Sequence, residues 1–218
     1  MRMYNPEWEA VKDMKFTPQV LDAQFDLSGG EIPADHGPAL YAELLRHLPW
    51  LADTPEAAIH PVHGAPSGRN ANLVINRRVK LVLRLPVGCL EDARTLIGKT
   101  INPGAGDLTI GLLKEKNLTP FGTLYSHFVT LGTADDEAAI LLEVRRQLDE
   151  MGIQCGLIPG MQRKMTTPDG EIKGHTLMLH DLSLEHSLVV QEQGLGLHRL
   201  WGCGIFIPHK SIKEVSAS

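Results

Sequence analysis

The order of strand-like and helix-like patterns, which runs twice along the chain, is the feature that most constrains the fold. In the first half, alternating apolar and polar residues predict a strand over 20–27, and a helix follows from about Asp35. Pro38 suits the first turn of that helix, and Pro49 marks its end. The remaining patterns of this half are extended segments at 58–62, 72–76 and 79–85, a short helix at 90–97 and a strand at 107–113.

The second half repeats this order. A strand is predicted at 123–131, and Thr133 with Asp136 resembles a capping box at the start of the next helix. Gly152 is placed to end that helix. The remaining patterns are a hairpin of segments 160–166 and 171–180 around the turn sequence 168–170, a helix capped by Ser183, and a strand at 204–208.

Strand, helix, strand, strand, helix, strand is the ferredoxin-like order. Its occurrence twice predicts an α+β protein of two tandem ferredoxin-like (RRM-like) β-α-β-β-α-β units, with one extra strand segment in the first. The halves share topology and not sequence. The predicted organisation is an N-terminal extension at 1–19, a first domain at 20–118 and a second domain at 119–213, with a C-terminal glycine-rich loop at 194–204.

This glycine-rich stretch precedes the last predicted strand. Glycine lets a backbone approach a ligand closely, and N–H groups exposed beside Arg or Lys bind phosphate. No Gly-Lys-Ser/Thr sequence closes the stretch, and a strand follows it instead of a helix, so it is neither a Walker loop nor a dinucleotide fingerprint. The stretch indicates a backbone that lies against RNA. The candidate contacts are Gly194, Gly196, His198, Arg199, Gly202, Gly204, His209 and Lys210.

Basic residues are segregated along the chain. The 218 residues carry a net charge of −5 with a pI of about 6.0, which taken alone argues against a nucleic-acid-binding protein. Segment 57–90, however, holds basic residues and no Asp or Glu, and a local basic patch steers a polyanion. The alternative is a chance segregation of solvated charges. The candidate contacts to an RNA hairpin are Arg77, Arg78 and Lys80, with Arg163 and Lys164 of the predicted hairpin.

Cysteine usage and the absence of long apolar runs indicate the compartment. Cys89, Cys155 and Cys203 are far apart and odd in number, which fits neither a disulfide framework nor a zinc site. The first residues lack a signal-peptide core, and the sequence has no apolar run of about 18 residues. These features predict a cytoplasmic protein with no membrane association. The spacings of His60 with His63 and of His175 with His180 form no recognised ligand set with carboxylates, so neither a metal nor a cofactor is expected.

The tandem plan and several short segments of the chain resemble a known family. The tandem plan and the run 196–212 are similar to the repeat-associated RNA-binding superfamily of CRISPR systems, and that run resembles the C-terminus of its repeat-cleaving endoribonucleases, Myxan subtype. Segments 32–37, 48–50 and 59–61 resemble the N-terminal half of the same subtype, so the resemblance covers roughly 20–212. It implies a metal-independent nuclease that cuts the CRISPR repeat transcript beside a stem-loop. It also implies that the nuclease often stays on its guide-RNA product as a subunit of an effector complex.

The implied reaction uses the ribose 2′-hydroxyl as nucleophile and leaves a 2′,3′-cyclic phosphate and a 5′-hydroxyl. It needs a base, a proton donor for the leaving oxygen and positive charge on the phosphate, and histidine suits the first two roles. His36 lies at the predicted start of the first helix, where the dipole favours a neutral imidazole and where related nucleases often place their histidine. His60 follows that helix, as in other branches, and His47 matches a third branch by offset alone. Their structural alternatives are a helix cap, a strand hydrogen bond and an exposed helix residue.

Two further function classes are compatible with the sequence. One is a binding module of the same fold, catalytically silent, that caps the 3′ stem-loop of guide RNA inside an effector complex. The other is an unrelated ferredoxin-like metabolic or regulatory protein, against which the basic glycine-rich terminus counts.

Overall fold

The computed structural model describes residues 19–68, 71–132 and 136–209, which form two α+β halves in succession. No helix in these three ranges is both long enough and apolar enough to cross a membrane. The elements of the first half are β1 (Val20–Gly29), β2 (Glu31–Pro33), α1 (Gly37–Leu45), β3 (Ala58–Ile59), β4 (Ala65–Pro66), β5 (Asn72–Val74), β6 (Lys80–Pro86), α2 (Leu90–Ala93), β7 (Thr100–Ile101) and β8 (Leu108–Asn117). Those of the second half are β9 (Leu124–Thr130), α3 (Glu137–Glu150), β10 (Gly156–Thr167), β11 (Gly170–His180), α4 (Leu184–Gln193) and β12 (Ile207–Pro208).

The first half is built on a five-stranded antiparallel sheet in the order β3-β6-β1-β8-β7. The period-2 alternation of β1 sends Leu21, Ala23 and Phe25 into the apolar core, together with Leu40 and Leu44 of α1. The opposite face of the sheet therefore carries the polar residues of β1 and β6.

The extra extended segment predicted at 72–76 does not join this sheet. It forms β5, which pairs with β2 and β4 in a separate three-stranded sheet in the order β2-β5-β4. When the small sheet is left out of the comparison, the strands before and after α1 and α2 lie in the order β3-β6-β1-β8.

The second half has a four-stranded antiparallel sheet in the order β10-β11-β9-β12. The carboxylate of Asp136 accepts a hydrogen bond from the N–H of Ala138 at the start of α3, and the hydroxyl of Ser183 accepts one from the N–H of His186 at the start of α4. The predicted Ser183 cap of α4 is thereby confirmed. At α3 the predicted capping box is corrected, because Asp136 is itself the N-cap and not the third residue after it, and Thr133 lies outside the described residues. The core between the sheet and the two helices contains Leu124, Val144, Leu148, Val190 and Phe206.

Two elements of the first half are shorter than predicted. Helix α1 ends at Leu45, and Pro49 opens a separate 3₁₀ turn, Pro49–Asp53. The strand predicted at 58–62 is reduced to β3. Its pairing continues only to the N–H of His60, which donates to the Val82 carbonyl (2.9 Å), because Pro61 has no N–H to continue the ladder.

The last strand is also short. The pattern predicts a strand at 204–208, but β12 pairs with β9 only at Ile207 and Pro208. Gly204 has φ +65°, which takes it out of extended geometry and makes it the end of the preceding loop.

One buried arginine joins the two halves. Arg84 on β6 is 1% exposed. Its Nε and Nη2 donate to the carboxylate of Asp22 (2.8 and 3.2 Å), and its Nη1 donates to the carbonyls of Gln191 (2.9 Å) and Phe206 (3.0 Å). Burial alone would raise the pKa of Asp22, but the His60 imidazole and the Arg84 guanidinium hold this pKa well below its ordinary value. Asp22 is therefore ionised and paired.

Replacing Arg84 by alanine should destabilise the protein by about 3–5 kcal/mol, because it leaves a buried carboxylate and two carbonyls without their donor. Urea unfolding measures this change in the free energy of unfolding. Lys80→Ala is the matched control: it removes a cation from the same strand whose partner, Asp26, is exposed, and should cost less than about 1 kcal/mol. Equal effects of the two variants would show that Arg84 does not hold the halves together.

Candidate functional site

A pocket of about 380 Å³ lies where the two halves meet. Side chains from both halves line it: His36, His63, His127, Arg163, Lys164 and Trp201. Three imidazoles beside two cations are the types of group that bind a phosphate and transfer protons around it.

His36 lines the pocket, but both of its ring nitrogens are occupied. Its Nδ1 lies 2.8 Å from the carbonyl of Pro33, and its Nε2 accepts a hydrogen bond from the N–H of Val62 (2.9 Å). These partners assign the proton to Nδ1. The residue is 5% exposed, and burial lowers its pKa, so the imidazole is neutral at pH 7. Its position just before α1 agrees with the sequence prediction of a neutral histidine there.

The other two histidines of the pocket were not singled out as bases in the sequence. The ring centroids of His63 and His127 are 4.8 Å apart, and Tyr125 packs edge-on against His127 at 4.9 Å. Tyr125 also lies 5.5 Å from His209, so the rings form a row from the pocket towards the end of the described chain. Tyr125 and His127 are two residues apart on β9 and so lie on the same face of the strand. This spacing is the signal in the sequence that could have identified His127.

The environment of this pair favours uncharged imidazoles. Burial, and then the nearby charges of His63, Arg163 and His209, lower the pKa of His127 to about 4. Burial also lowers the pKa of His63. At neutral pH both rings can therefore accept a proton.

His60 and His47 lie outside the pocket. His60 lines a second cleft, of about 620 Å³, together with Asp22 and Arg84. Its Nε2 is 3.4 Å from the carboxylate of Asp22, and burial lowers its pKa although Asp22 opposes the shift. His47 follows the end of α1, is half-buried and lines neither cavity. The structure thus separates the three histidines that the sequence proposed as bases.

Of the predicted RNA-binding cations, Arg163 and Lys164 line the pocket. Both are exposed on β10, and Lys164 is paired with Glu171 (2.9 Å). Arg77 and Arg78 are exposed in the turn between β5 and β6, away from both cavities. Three further candidates remain: Lys80, paired with Asp26; His209, which lines the second cleft; and Lys210, which lies outside the described residues.

The glycines of the 194–204 loop pack against protein, and contact of their backbone with RNA stays a prediction. Gly194, Gly202 and Gly204 are buried. A Cβ on Gly204 would stand 2.1 Å from the carbonyl oxygen of Leu195. The freedom of glycine is used here to fold the loop tightly on itself and against both halves. Gly196, less buried, has the same constraint, since a Cβ there would meet the Thr130 carbonyl at 2.7 Å.

The loop side chains are also engaged. Arg199 donates to the carbonyls of Glu192 (2.7 Å) and Pro55 (3.4 Å), and burial lowers its pKa to about 10. It joins the halves, and its contact with phosphate stays a prediction. His198 stacks on Trp201 with ring centroids 4.3 Å apart. Trp201 in turn lines the pocket, so the loop forms one of the pocket walls.

Metal ligation has no site in the described part of the chain. No group of three or more His, Cys, Asp or Glu side chains there is arranged to hold an ion. The chemistry that the pocket itself offers is proton transfer by imidazoles and charge stabilisation by Arg163 and Lys164.

Gly204→Ala should destabilise the protein more than Gly152→Ala. Both glycines have φ near +70°, so both variants carry a left-handed strain of about 1–2 kcal/mol. Only the Gly204 variant adds a clash, since a Cβ on Gly152 has no neighbour within 4 Å. Thermal unfolding of the two variants measures the difference, and equal losses would contradict the packing role of the loop.

Acid should destabilise the protein in part through His127. Its pKa is about 4 when folded against an ordinary value of 6.5, so the unfolded chain binds the proton first as the pH falls. Its contribution to stability is complete above pH 6.5 and is lost towards pH 4. His127→Gln should therefore lose less stability than the wild type between about pH 7 and pH 4.5 in urea unfolding. His186→Gln, outside the pocket, should follow the wild type, and a His127→Gln curve parallel to the wild type would refute the assignment.

The Cas6 CRISPR family model matches residues 21–211. The CRISPR-associated endonuclease Cas6 of Myxococcus xanthus (strain DK1622) is 34% identical over 188 residues, which cover 86% of this chain and 81% of that protein. Two solved structures have a similar fold. A Cas6-related protein from Pyrococcus furiosus has a TM-score of 0.63 at 13% identity, covering 88% of this chain and 100% of that one. An RAMP protein described as binding different RNA substrates has a TM-score of 0.62 at 11% identity, covering 88% and 99%.

Proposed function

We propose, since the chain belongs to the Cas6 family, that it is an endoribonuclease that cleaves CRISPR repeat transcripts beside a stem-loop to give guide RNA. Membership of the family confirms the resemblance drawn from the sequence. The proposed reaction needs no metal: the ribose 2′-hydroxyl attacks the adjacent phosphate and leaves a 2′,3′-cyclic phosphate and a 5′-hydroxyl.

We also propose that each half is a ferredoxin-like unit. Numbered within its half, each four-stranded core places its strands in the order second, third, first, fourth: β3-β6-β1-β8 and β10-β11-β9-β12. In each, helices follow the first and the third strand, as the β-α-β-β-α-β order requires. The tandem arrangement places the pocket between the units, where a strand of RNA can contact both.

The observation that carries the proposed activity is the convergence of neutral imidazoles and cations in one pocket. General acid–base catalysis near neutral pH needs groups that exchange protons there, and histidine is the side chain suited to it. Arg163 and Lys164 supply the positive charge that the phosphate requires in the transition state. His36 is the one of the three sequence-predicted bases that lines this pocket, while His60 and His47 lie elsewhere.

The RNA partner is proposed to be the repeat hairpin. Arg163 and Lys164 project from the β10–β11 hairpin, and Arg77 with Arg78 from the turn before β6 offers a second exposed pair of cations. Such contacts read the phosphates and shape of an RNA helix. We propose that the protein remains on the 3′ hairpin of its product in the cytoplasm and meets other effector subunits there.

Cleavage of the cognate repeat RNA in EDTA tests the proposal. The expected result is a single cut whose upstream product ends in a 2′,3′-cyclic phosphate, with no effect of added magnesium. A 2′-deoxy substitution at the nucleotide before the cut should abolish cleavage without weakening binding, because it removes the nucleophile alone. Cleavage that is lost in EDTA and restored by magnesium would exclude this mechanism.

A catalytically silent guide-RNA-binding subunit is the second candidate. It is favoured by the occupied ring nitrogens of His36 and by the position of His60 beside Asp22, since neither imidazole is open to an incoming hydroxyl. Tight, salt-sensitive binding of the repeat hairpin with no cut under any metal condition would identify this function.

A further inference from the structure

We propose that His63 and His127 carry out the proton transfers of the cleavage reaction and that His36 is a positioning residue that holds His63 in place. This inference rests on the proposed function of the pocket, and it assigns the chemistry to two residues that are not among the bases predicted from the sequence.

The contacts of His36 are those of a structural imidazole. A general base must offer a ring nitrogen lone pair to the proton it removes, within hydrogen-bond reach. The Nδ1 of His36 faces the Pro33 carbonyl, and its Nε2 lone pair is taken by the Val62 N–H at 2.9 Å. To accept a proton from RNA, His36 would have to release a buried backbone donor, which has a high energetic cost.

The same hydrogen bond locates the segment that carries His63. The side chain of Val62 is 1% exposed, while the next residue, His63, is exposed and faces the pocket. On the other side, Gly202 lies so close to Pro61 that a Cβ there would be 3.0 Å from its ring. The segment 61–63 is therefore held between the start of α1 and the glycine-rich loop, with the His63 ring against that of His127.

His63 and His127 can act on one phosphate. Their ring centroids are 4.8 Å apart, and both rings line the pocket with Arg163 beside them. One comes from the first half and the other from β9 of the second, so a phosphate between the halves meets both. His127 is the more shielded of the two, half-buried where His63 is exposed, which suits it to stay neutral and accept a proton.

In the proposed step, neutral His127 removes the proton of the ribose 2′-hydroxyl as the 2′-oxygen forms its bond to phosphorus. The bond from phosphorus to the 5′-oxygen breaks, and the leaving oxygen takes a proton from protonated His63. His127 ends with one proton and His63 ends neutral, so a proton exchange with solvent restores the starting state. Arg163 balances the negative charge on the non-bridging oxygens.

Single-turnover cleavage at saturating protein tests these roles. His127→Ala and His63→Ala should each lower the rate about a hundredfold or more, with RNA affinity changed less than about threefold. His36→Gln should stay within about tenfold of the wild type with an unchanged pH–rate profile, because the glutamine amide can both accept from the Val62 N–H and donate to the Pro33 carbonyl. His36→Ala, which lacks both groups, should fall well below His36→Gln. His186→Ala, outside the pocket, is the matched histidine control and should equal the wild type.

A substrate whose leaving 5′-oxygen is replaced by sulfur separates the two catalytic roles. A thiolate leaves without a proton, so this substrate should restore the rate of His63→Ala and leave that of His127→Ala low. A folded His36→Gln protein that loses a hundredfold or more in rate with unchanged RNA affinity would overturn the inference. So would a His63→Ala or His127→Ala rate within about threefold of the wild type. Absence of cleavage by the wild-type protein would instead refute the proposed function, so the two failures are distinguishable.

Discussion

The buried guanidinium of Arg84 connects the two halves, and the pocket depends on how those halves meet. Nε and Nη2 of Arg84 donate to Asp22 within the first sheet, and Nη1 donates to the carbonyls of Gln191 and Phe206 in the second half. A buried ion pair adds little net stability over an apolar pair of the same shape, but it is demanding in geometry. It therefore acts mainly to select one orientation of the halves. Because the pocket takes residues from each half, that orientation determines whether His63 and His127 meet.

The glycine-rich loop also holds the two halves together, because it belongs to the second half and packs against the first. It follows α4, contacts Pro61 of the first half through Gly202, and reaches β9 through Gly204, whose N–H donates to the carbonyl of Phe128 (2.7 Å). At Gly37, a Cβ would stand 2.2 Å from the carbonyl oxygen of Trp201, so the start of α1 is in direct contact with the loop. Its glycines are required by this close packing of backbone on backbone, which explains a glycine-rich sequence without any bound phosphate.

Local patterns were sufficient to predict most elements of the fold: the alternation of β1 and the apolar residues at every second position of β6 mark two strands, and Ser183 caps α4. The composition of the site could not be predicted in this way. His63 and His127 are 64 residues apart and meet only through packing between the halves, for which a single sequence has no local signal. The partners of Arg199 could not be predicted for the same reason, because they are the carbonyls of Pro55 and Glu192, and a residue of any type can supply a carbonyl acceptor.

The negative net charge is compatible with an RNA site because the pocket and the body of the protein differ in their electrostatics. No Asp or Glu within the described ranges lines the pocket, whereas the acids of α3 are engaged on the surface, where Glu143 and Glu150 pair with Arg146. Burial lowers the pKa of His63, and burial together with neighbouring positive charge lowers that of His127 to about 4, so both imidazoles are neutral at pH 7. The negative charge of a phosphate bound in the pocket favours the protonated form of the imidazole that is less shielded from it. In the proposed mechanism, this effect raises the pKa of the exposed His63, and solvent supplies the proton of the donor that cleavage requires.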